Sequence, residues 1–157
     1  MAKEIERKVL VKDDLFLQGL NGVDYKQGYI LGRARAAVRI RIVGDRGFIT
    51  LKGATAGISR SEFEYEIPLS DANQILEQFC QKPFIKKTRY EVRHAGCTWE
   101  VDVFHGDNAG LIMAEIELEA EQQSVEIPPW AGHEVTDDSR YFNANLAVTP
   151  YGSWARA

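Results

Sequence analysis

Apolar and charged positions alternate along most of the chain with the two-residue period of a β-strand whose faces differ. The first such run is Lys3 to Val11, KEIERKVLV, where Glu4, Glu6 and Lys8 share one side and Ile5, Arg7 and Val9 the other. DYKQGYIL follows (Asp24 to Leu31). Next come AAVRIRIV and GFITLKG, joined through Gly44, Asp45, Arg46 and Gly47, a composition suited to a hairpin turn. SRSEFEYEIP ends at Pro68, which cannot extend a central strand. IKKTRYEVRH and CTWEVDVF flank an Ala95-Gly96 turn, and IMAEIELEA closes the series. Helical spacing is confined to three places. They are a short stretch near Asp13 to Leu20, a helix capped by Ser70 and running to about Lys82, and a segment around Ser139 to Val148 after a Pro-Pro-Trp loop. About eight strands with two or three helices predict an α+β protein dominated by antiparallel hairpins.

Strand parity then sorts the charges. Arg39 and Arg41 share a face against Val38, Ile40 and Ile42; Thr50 and Lys52 oppose Ile49 and Leu51; Glu62, Glu64 and Glu66 oppose Phe63, Tyr65 and Ile67. Lys87 lies with Arg89, Glu100 with Asp102, and Glu115, Glu117 and Glu119 fall together. Two arrangements satisfy this pattern. An open sheet would turn its charged face to water and its apolar face to helices. Alternatively the sheet closes, with the charged face around a wet channel, which is the economical solution with so few helices. Like charges two residues apart repel, a cost that a ligand of opposite sign would relieve.

Composition narrows the class. A chain of 157 residues, 45% hydrophobic and 27% charged, suits one domain over residues 1–157. It has no apolar run long enough for a membrane span, and MAKEIERK is too charged for a signal peptide, so a cytoplasmic protein with no membrane partner is expected. The net charge of −4 disfavours a nucleic-acid partner. Cys80 and Cys97 have neither metal spacing nor disulfide density and are expected as buried thiols. The three histidines are scattered, and no Gly-rich phosphate loop is present. Clustered carboxylates without His or Cys suit Mg²⁺ or Mn²⁺, and clustered Arg and Lys suit phosphate oxygens. Both in one channel would suit a metal-bound polyphosphate.

The ordered segments Glu-x-Glu-x-Lys (Glu4, Glu6, Lys8), Arg-x-Arg (Arg39, Arg41), TLK at Lys52, SRSEFEYEI, KTRY, EVDVF and AEIELE resemble the CYTH superfamily, the triphosphate tunnel metalloenzymes. The likeness extends through GHEVTDDSRYFNANLA and is greatest to short bacterial members of the inorganic triphosphatase type. It implies an eight-stranded antiparallel closed β-barrel, the triphosphate tunnel fold, with a few peripheral helices. It also implies hydrolysis of tripolyphosphate, and of nucleoside triphosphates, with Mg²⁺ or Mn²⁺. Carried over, Glu4, Glu6, Glu115 and Glu117 would be metal carboxylates. Lys8, Arg39, Arg41, Lys52, Lys87 and Arg89 would hold phosphate oxygens. Glu62, Glu64 and Asp102 match the tunnel's remaining acids, for a second metal or for orienting water. Tyr29 would orient Lys8, unless it is a core tyrosine; Arg140 would close one tunnel mouth, unless it is a surface arginine. The resemblance leaves two alternatives: a class IV adenylyl cyclase or thiamine triphosphatase on the same fold, and a non-catalytic polyphosphate binder. A homodimer is compatible with all of this.

Overall fold

The computed structural model describes residues 3–30, 36–53 and 59–154; Leu31, expected to end the second strand, lies outside them. Its strands are β1 (Lys3–Val11), β2 (Val23–Ile30), β3 (Ala36–Val43), β4 (Arg46–Gly53), β5 (Ser59–Ile67), β6 (Ile85–His94), β7 (Cys97–Phe104), β8 (Ile112–Glu117) and β9 (Ala131–Glu134). Two α-helices, α1 (Leu69–Phe79) and α2 (Asn143–Val148), accompany them. Every pairing is antiparallel, in the order β5-β4-β3-β2-β6-β7-β8-β1, and β1 pairs back onto β5. The sheet therefore closes into the expected eight-stranded barrel.

Closure depends on how β1 divides its edges. Val9 pairs with Ala114 of β8 and with Glu134 of β9, so those two strands take opposite edges. Ile5 lies opposite Ser59 of β5 while its carbonyl accepts from the Leu118 amide at 2.7 Å. Strands β5 and β9 thus share one edge of β1, end to end, and the short ninth strand covers what β5 leaves unpaired. Outside the barrel, Arg7 makes a two-pronged ion pair with Glu134 of β9, at 2.7 and 3.1 Å.

Three apolar clusters surround this frame. Helix α1 lays Ala72 and Leu76 on Ile40, Ile42 and Ile49 of the outer face. Gly28 and Gly47 permit the approach, because a Cβ on either would come within 3.0 Å of an α1 side chain. On the opposite side, Val9, Val101, Ala114 and Ile116 pack around Trp99, which faces outward as expected. Trp130 meets Trp99 edge to face at 5.7 Å and stacks on Phe16 at 4.7 Å, so loops rather than a helix cover this wall. The third cluster stoppers one end of the lumen: Tyr29, Ile85, Phe104 and Met113 pack against Tyr141, Leu146 and Ala147 of the C-terminal segment. Ile40 is fully buried between the two arginines of its strand, on the other face. An Ile40→Val change is expected to lower unfolding free energy by about 1 kcal/mol, checked by urea denaturation.

The helical segments differ from expectation at their ends. The stretch from Asp13 to Leu20 holds only a 3-10 turn at Leu15–Leu17. It is too short to recover the cost of nucleation and is broken by Gly19 at φ +84°. Helix α1 is capped by Pro68, not Ser70: Pro68 has φ −57° and its carbonyl accepts from the Ala72 amide at 3.0 Å. The helix stops at Phe79, short of Lys82, where Pro83 disfavours helical geometry in the preceding residue. The last segment splits at Phe142, extended at ψ 134°, into a 3-10 turn at Ser139–Tyr141 and α2. Strand β8 ends at Glu117, and the Glu119 amide turns to the Gln123 side chain at 2.6 Å. Both cysteines are free; Cys80 is buried, with its thiol pushed up to about 11, whereas Cys97 is only half-buried. Among the described residues no helix is long and apolar enough to cross a membrane.

Candidate active site

The charged strand faces converge on a cavity of about 880 Å³ inside the barrel. Among the described residues seven bases and eight acids line it and no histidine or cysteine does, so its chemistry is dominated by ammonium, guanidinium and carboxylate groups. Strand period does the placing. Even positions of β1, β5 and β7 and odd positions of β3, β6 and β8 point inward, as alternation requires.

Antiparallel register then sets acids beside bases. Lys8 lies opposite Glu115, Lys52 opposite Glu62, and Arg89 opposite Asp102. Lys8 bonds Glu6 and stands 3.9 Å from Glu115. Lys52 reaches both Glu4 oxygens at 3.2 Å, with Arg60 at 3.5 Å from the same carboxylate. Arg39 donates to Thr50 at 3.2 Å and to Glu64 at 3.4 Å, and the Thr50 hydroxyl donates to Glu64 at 2.8 Å. Asp102 also points inward but is covered by Lys87 and Arg89 and does not line the cavity, being 1% exposed. It accepts from Lys87 at 2.8 Å and from two nitrogens of Arg89 at 2.7 and 2.9 Å. Arg89 also reaches Glu100 at 3.1 Å.

This crowding splits the acids into two kinds. Burial pushes Glu6 up to about 7, reinforced by the charge of Glu115. Burial likewise raises Glu62 to about 7, helped by its hydrogen bond to Glu4. Their partners go the other way. Burial opposes ionisation of Glu4, but the bond from Glu62 and the charge of Lys52 outweigh it and hold Glu4 at about 2. Burial also works against Glu115, yet Lys8 and Arg89 keep it well below the usual carboxylate range. In each pair, Glu4 with Glu62 and Glu6 with Glu115, one carboxyl is thus held ionised while its neighbour is pushed up. Among the bases, burial lowers Lys87 to about 7 against the pull of Asp102, aided by Arg89 and Arg41. Burial disfavours charged Lys8 too, but Glu115 and Glu6 more than compensate and raise it.

The structure gathers Glu4, Glu6, Lys8, Tyr29, Arg39, Arg41, Lys52, Glu62, Glu64, Lys87, Arg89, Glu115 and Glu117 around one cavity. Tyr29 does not bond Lys8; its hydroxyl accepts from Gln27 at 3.0 Å. Arg140 stands off the cavity with its side chain 64% exposed, paired to Asp138 at 2.6 Å. The cavity also takes in Glu100, placed on the charged face by alternation but given no role, and Arg60, Tyr25 and Asn143, which the sequence pattern did not assign to it. Arg60 has the same parity as Glu62 and Glu64, so alternation alone could have found it. Asn143 arrives on α2 through the tertiary fold and has no local signal.

Comparison with known proteins agrees with this architecture. The CYTH domain profile matches residues 2–151. An inorganic triphosphatase from Acetivibrio thermocellus is 50% identical over 151 residues, spanning 96% of this chain and 97% of that protein. One from Nitrosomonas europaea is 37% identical over 151 residues, spanning 93% and 97% respectively. A crystal structure described as that of an inorganic triphosphatase superposes with a TM-score of 0.66 at 34% identity, covering 92% of this chain and 97% of its own. A closed antiparallel barrel with an ionic lumen, joined to near-full-length likeness of this degree, places the chain in the CYTH family.

Proposed function

We propose that this chain is a divalent-metal-dependent triphosphatase that hydrolyses inorganic triphosphate inside its barrel. The observation that carries the reading is the enclosed cavity whose wall holds separate sets of bases and acids, in a chain so similar to proteins named inorganic triphosphatases. A fully ionised triphosphate needs several cationic donors and a counter-cation. Arg39, Arg41, Lys52, Lys87, Arg89 and Lys8 supply the donors from four strands. Arg offers its planar fork and Lys a point charge.

The acid set fits a hard divalent cation. Crowding makes full ionisation of the carboxyl pairs costly and pushes Glu6 and Glu62 up, and a cation would relieve the same repulsion. Oxygen-only donors suit Mg²⁺ or Mn²⁺ over softer metals. Among the described residues no three such side chains are gathered into a ready-made cage, since Lys8, Lys52 and Arg60 engage Glu6 and Glu4. Bound triphosphate would draw those bases to its own oxygens and release the carboxylates, so metal and substrate should bind cooperatively. Glu4, Glu6, Glu115 and Glu117 would hold the metal, which supplies charge withdrawal from the phosphate chain and activation of water.

The remaining steps belong to the protein. The bases hold the phosphate chain in line and take up the charge that develops on the transferred and leaving groups, so no protein nucleophile is required. Glu62, Glu64 and Glu100, on the lumen wall, are placed to accept a proton from attacking water or to join a second metal. Asp102 holds Lys87 and Arg89 in position from behind. With Glu6 and Glu62 titrating near 7, fewer carboxylates are ionised below that value and metal competes with protons. The metal concentration giving half-maximal activity is therefore expected to fall as pH rises from about 6 to about 8. A phosphate-release titration of Mg²⁺ at several pH values checks this; a profile peaking below about 5 would contradict it.

Substrate choice is tested by a phosphate-release panel with tripolyphosphate, ATP and thiamine triphosphate, each with Mg²⁺ and Mn²⁺, alongside a cyclic AMP assay. Release from tripolyphosphate above the others is expected. Cyclic nucleotide formation would instead support a cyclase, and binding without turnover a polyphosphate binder.

A further inference from the structure

Among the described residues, strand β2 is the one strand of the closed barrel that presents no charge to the lumen: it turns Tyr25, Gln27 and Tyr29 inward. It lies between the two basic strands, β3 with Arg41 and β6 with Lys87 and Arg89. Register sets Gln27 directly beside Arg41, and Tyr25 beside Lys87. Gln27 is fully buried, and its oxygen accepts from Arg41 Nε at 2.7 Å. Its nitrogen donates to Tyr29 Oη at 3.0 Å and to Asn143 Oδ1 at 3.1 Å. The same Asn143 oxygen accepts from Lys87 Nζ at 2.9 Å. Beneath them, the Tyr25 ring has the Arg41 and Arg89 guanidinium carbons 4.9 and 5.0 Å from its centre.

Donor chemistry fixes how these amides lie. Arg and Lys side chains only donate, so Gln27 must offer its oxygen to Arg41 and Asn143 its oxygen to Lys87. Among the described residues, every other base lining the cavity has a carboxylate within 4.0 Å; Arg41 has none. Among the described residues its one hydrogen-bonded side-chain partner is the neutral Gln27, and no acceptor is recorded there for the two terminal nitrogens of its fork. A carboxylate at position 27 could hold Arg41 as firmly, but it would neutralise the charge. An amide orients the fork and leaves the charge available.

We infer that Gln27 and Asn143, backed by the Tyr25 ring, form a neutral positioning unit that keeps Arg41 oriented and electrostatically unspent for a phosphate oxygen of the substrate. This rests on the triphosphate reading above. Burial and the neighbouring Arg39 and Arg89 lower Arg41 to about 10, which leaves it charged at neutral pH. The unit extends to Lys87 through Asn143, so the two cations share one uncharged tether.

The test compares Gln27→Glu, Gln27→Ala and Asn143→Asp with the unaltered chain. Tripolyphosphate binding is measured by titration calorimetry under chelator, KM and kcat with Mg²⁺, and Tm as a control for folding. Gln27→Glu preserves an acceptor for Arg41 yet adds a negative charge. It is expected to weaken tripolyphosphate binding and raise KM by roughly tenfold or more, with kcat changing less, as loss of a charge-assisted contact implies. Its loss of affinity should exceed that of Gln27→Ala, and Asn143→Asp, at a half-buried position, should shift affinity the same way. Glutamate binding as tightly as glutamine, or losing less than alanine, would overturn the inference in favour of simple packing. Unaltered protein that binds tripolyphosphate without releasing phosphate would reject hydrolysis, while the order of the variants would still decide the inference. Failure of the unaltered chain to bind tripolyphosphate would overturn both.

Discussion

Replacing Asp102 with asparagine is expected to cost the folded protein about 3–5 kcal/mol, the range for breaking a buried ion pair from one side. Asp102 and Lys87 are each 1% exposed and Arg89 is 9% exposed, so water cannot take over the lost charge. One carboxylate serves both cations, through contacts of 2.7 to 2.9 Å. Asparagine preserves shape but removes the charge and must turn its NH2 toward at least one N–H donor of this pair of cations. Urea denaturation reads the loss, and the account adds a further signature. Tripolyphosphate supplies the missing negative charge from the lumen side, so it should raise the stability of the variant more than that of the unaltered protein. A loss below about 1 kcal/mol, the ordinary size for an exposed pair, would show that this triad is not a buried anchor.

Glu115→Gln is expected to remove nearly all turnover, about a thousandfold in kcat/KM, in keeping with the several kcal/mol of charge stabilisation a catalytic metal provides. Glu115 lies opposite Lys8 of β1 on one side and Glu100 of β7 on the other, in the middle of the acid set. Burial opposes its charge, but Lys8 and Arg89 hold it ionised, so Glu115, like Glu4, meets a metal without first losing a proton. Glutamine cannot replace that charge. It also frees Lys8 and Arg89, each 3.9 Å away, so metal-free affinity for tripolyphosphate should hold or tighten while catalysis fails. Calorimetry under chelator and phosphate release with Mg²⁺ separate the two effects. Turnover within tenfold of the unaltered protein would remove Glu115 from the metal set.

The ionic lumen was legible because strand alternation is strict: once Glu4, Glu6 and Lys8 are put on one side of β1, closure alone carries them inward. Glu100 follows from the same alternation, as does Arg60, a base at the head of an otherwise acidic run. Gln27 and Tyr25 gave no signal, since an uncharged inward face looks like ordinary core until its basic neighbours on both sides are known. That adjacency is a product of barrel order, in which β2 pairs with the distant β6. Asn143 depends on the chain folding back across the lumen, which no local pattern encodes. Tyr29 lies on the cavity as expected but turns its hydroxyl to Gln27, and Arg140 is drawn to Asp138 two residues away. Strand β9, only Ala131–Glu134, has no alternation to read and exists because β1 has an edge to cover.

The most direct measurement is a crystal structure grown with Mn²⁺ and a non-hydrolysable imido analogue of triphosphate, with the metal located by anomalous scattering. The account predicts metal beside Glu4, Glu6, Glu115 and Glu117, and phosphate groups along Arg39, Arg41, Lys87 and Arg89 inside the barrel. Analogue bound on the outer surface, or Mn²⁺ away from those carboxylates, would contradict it.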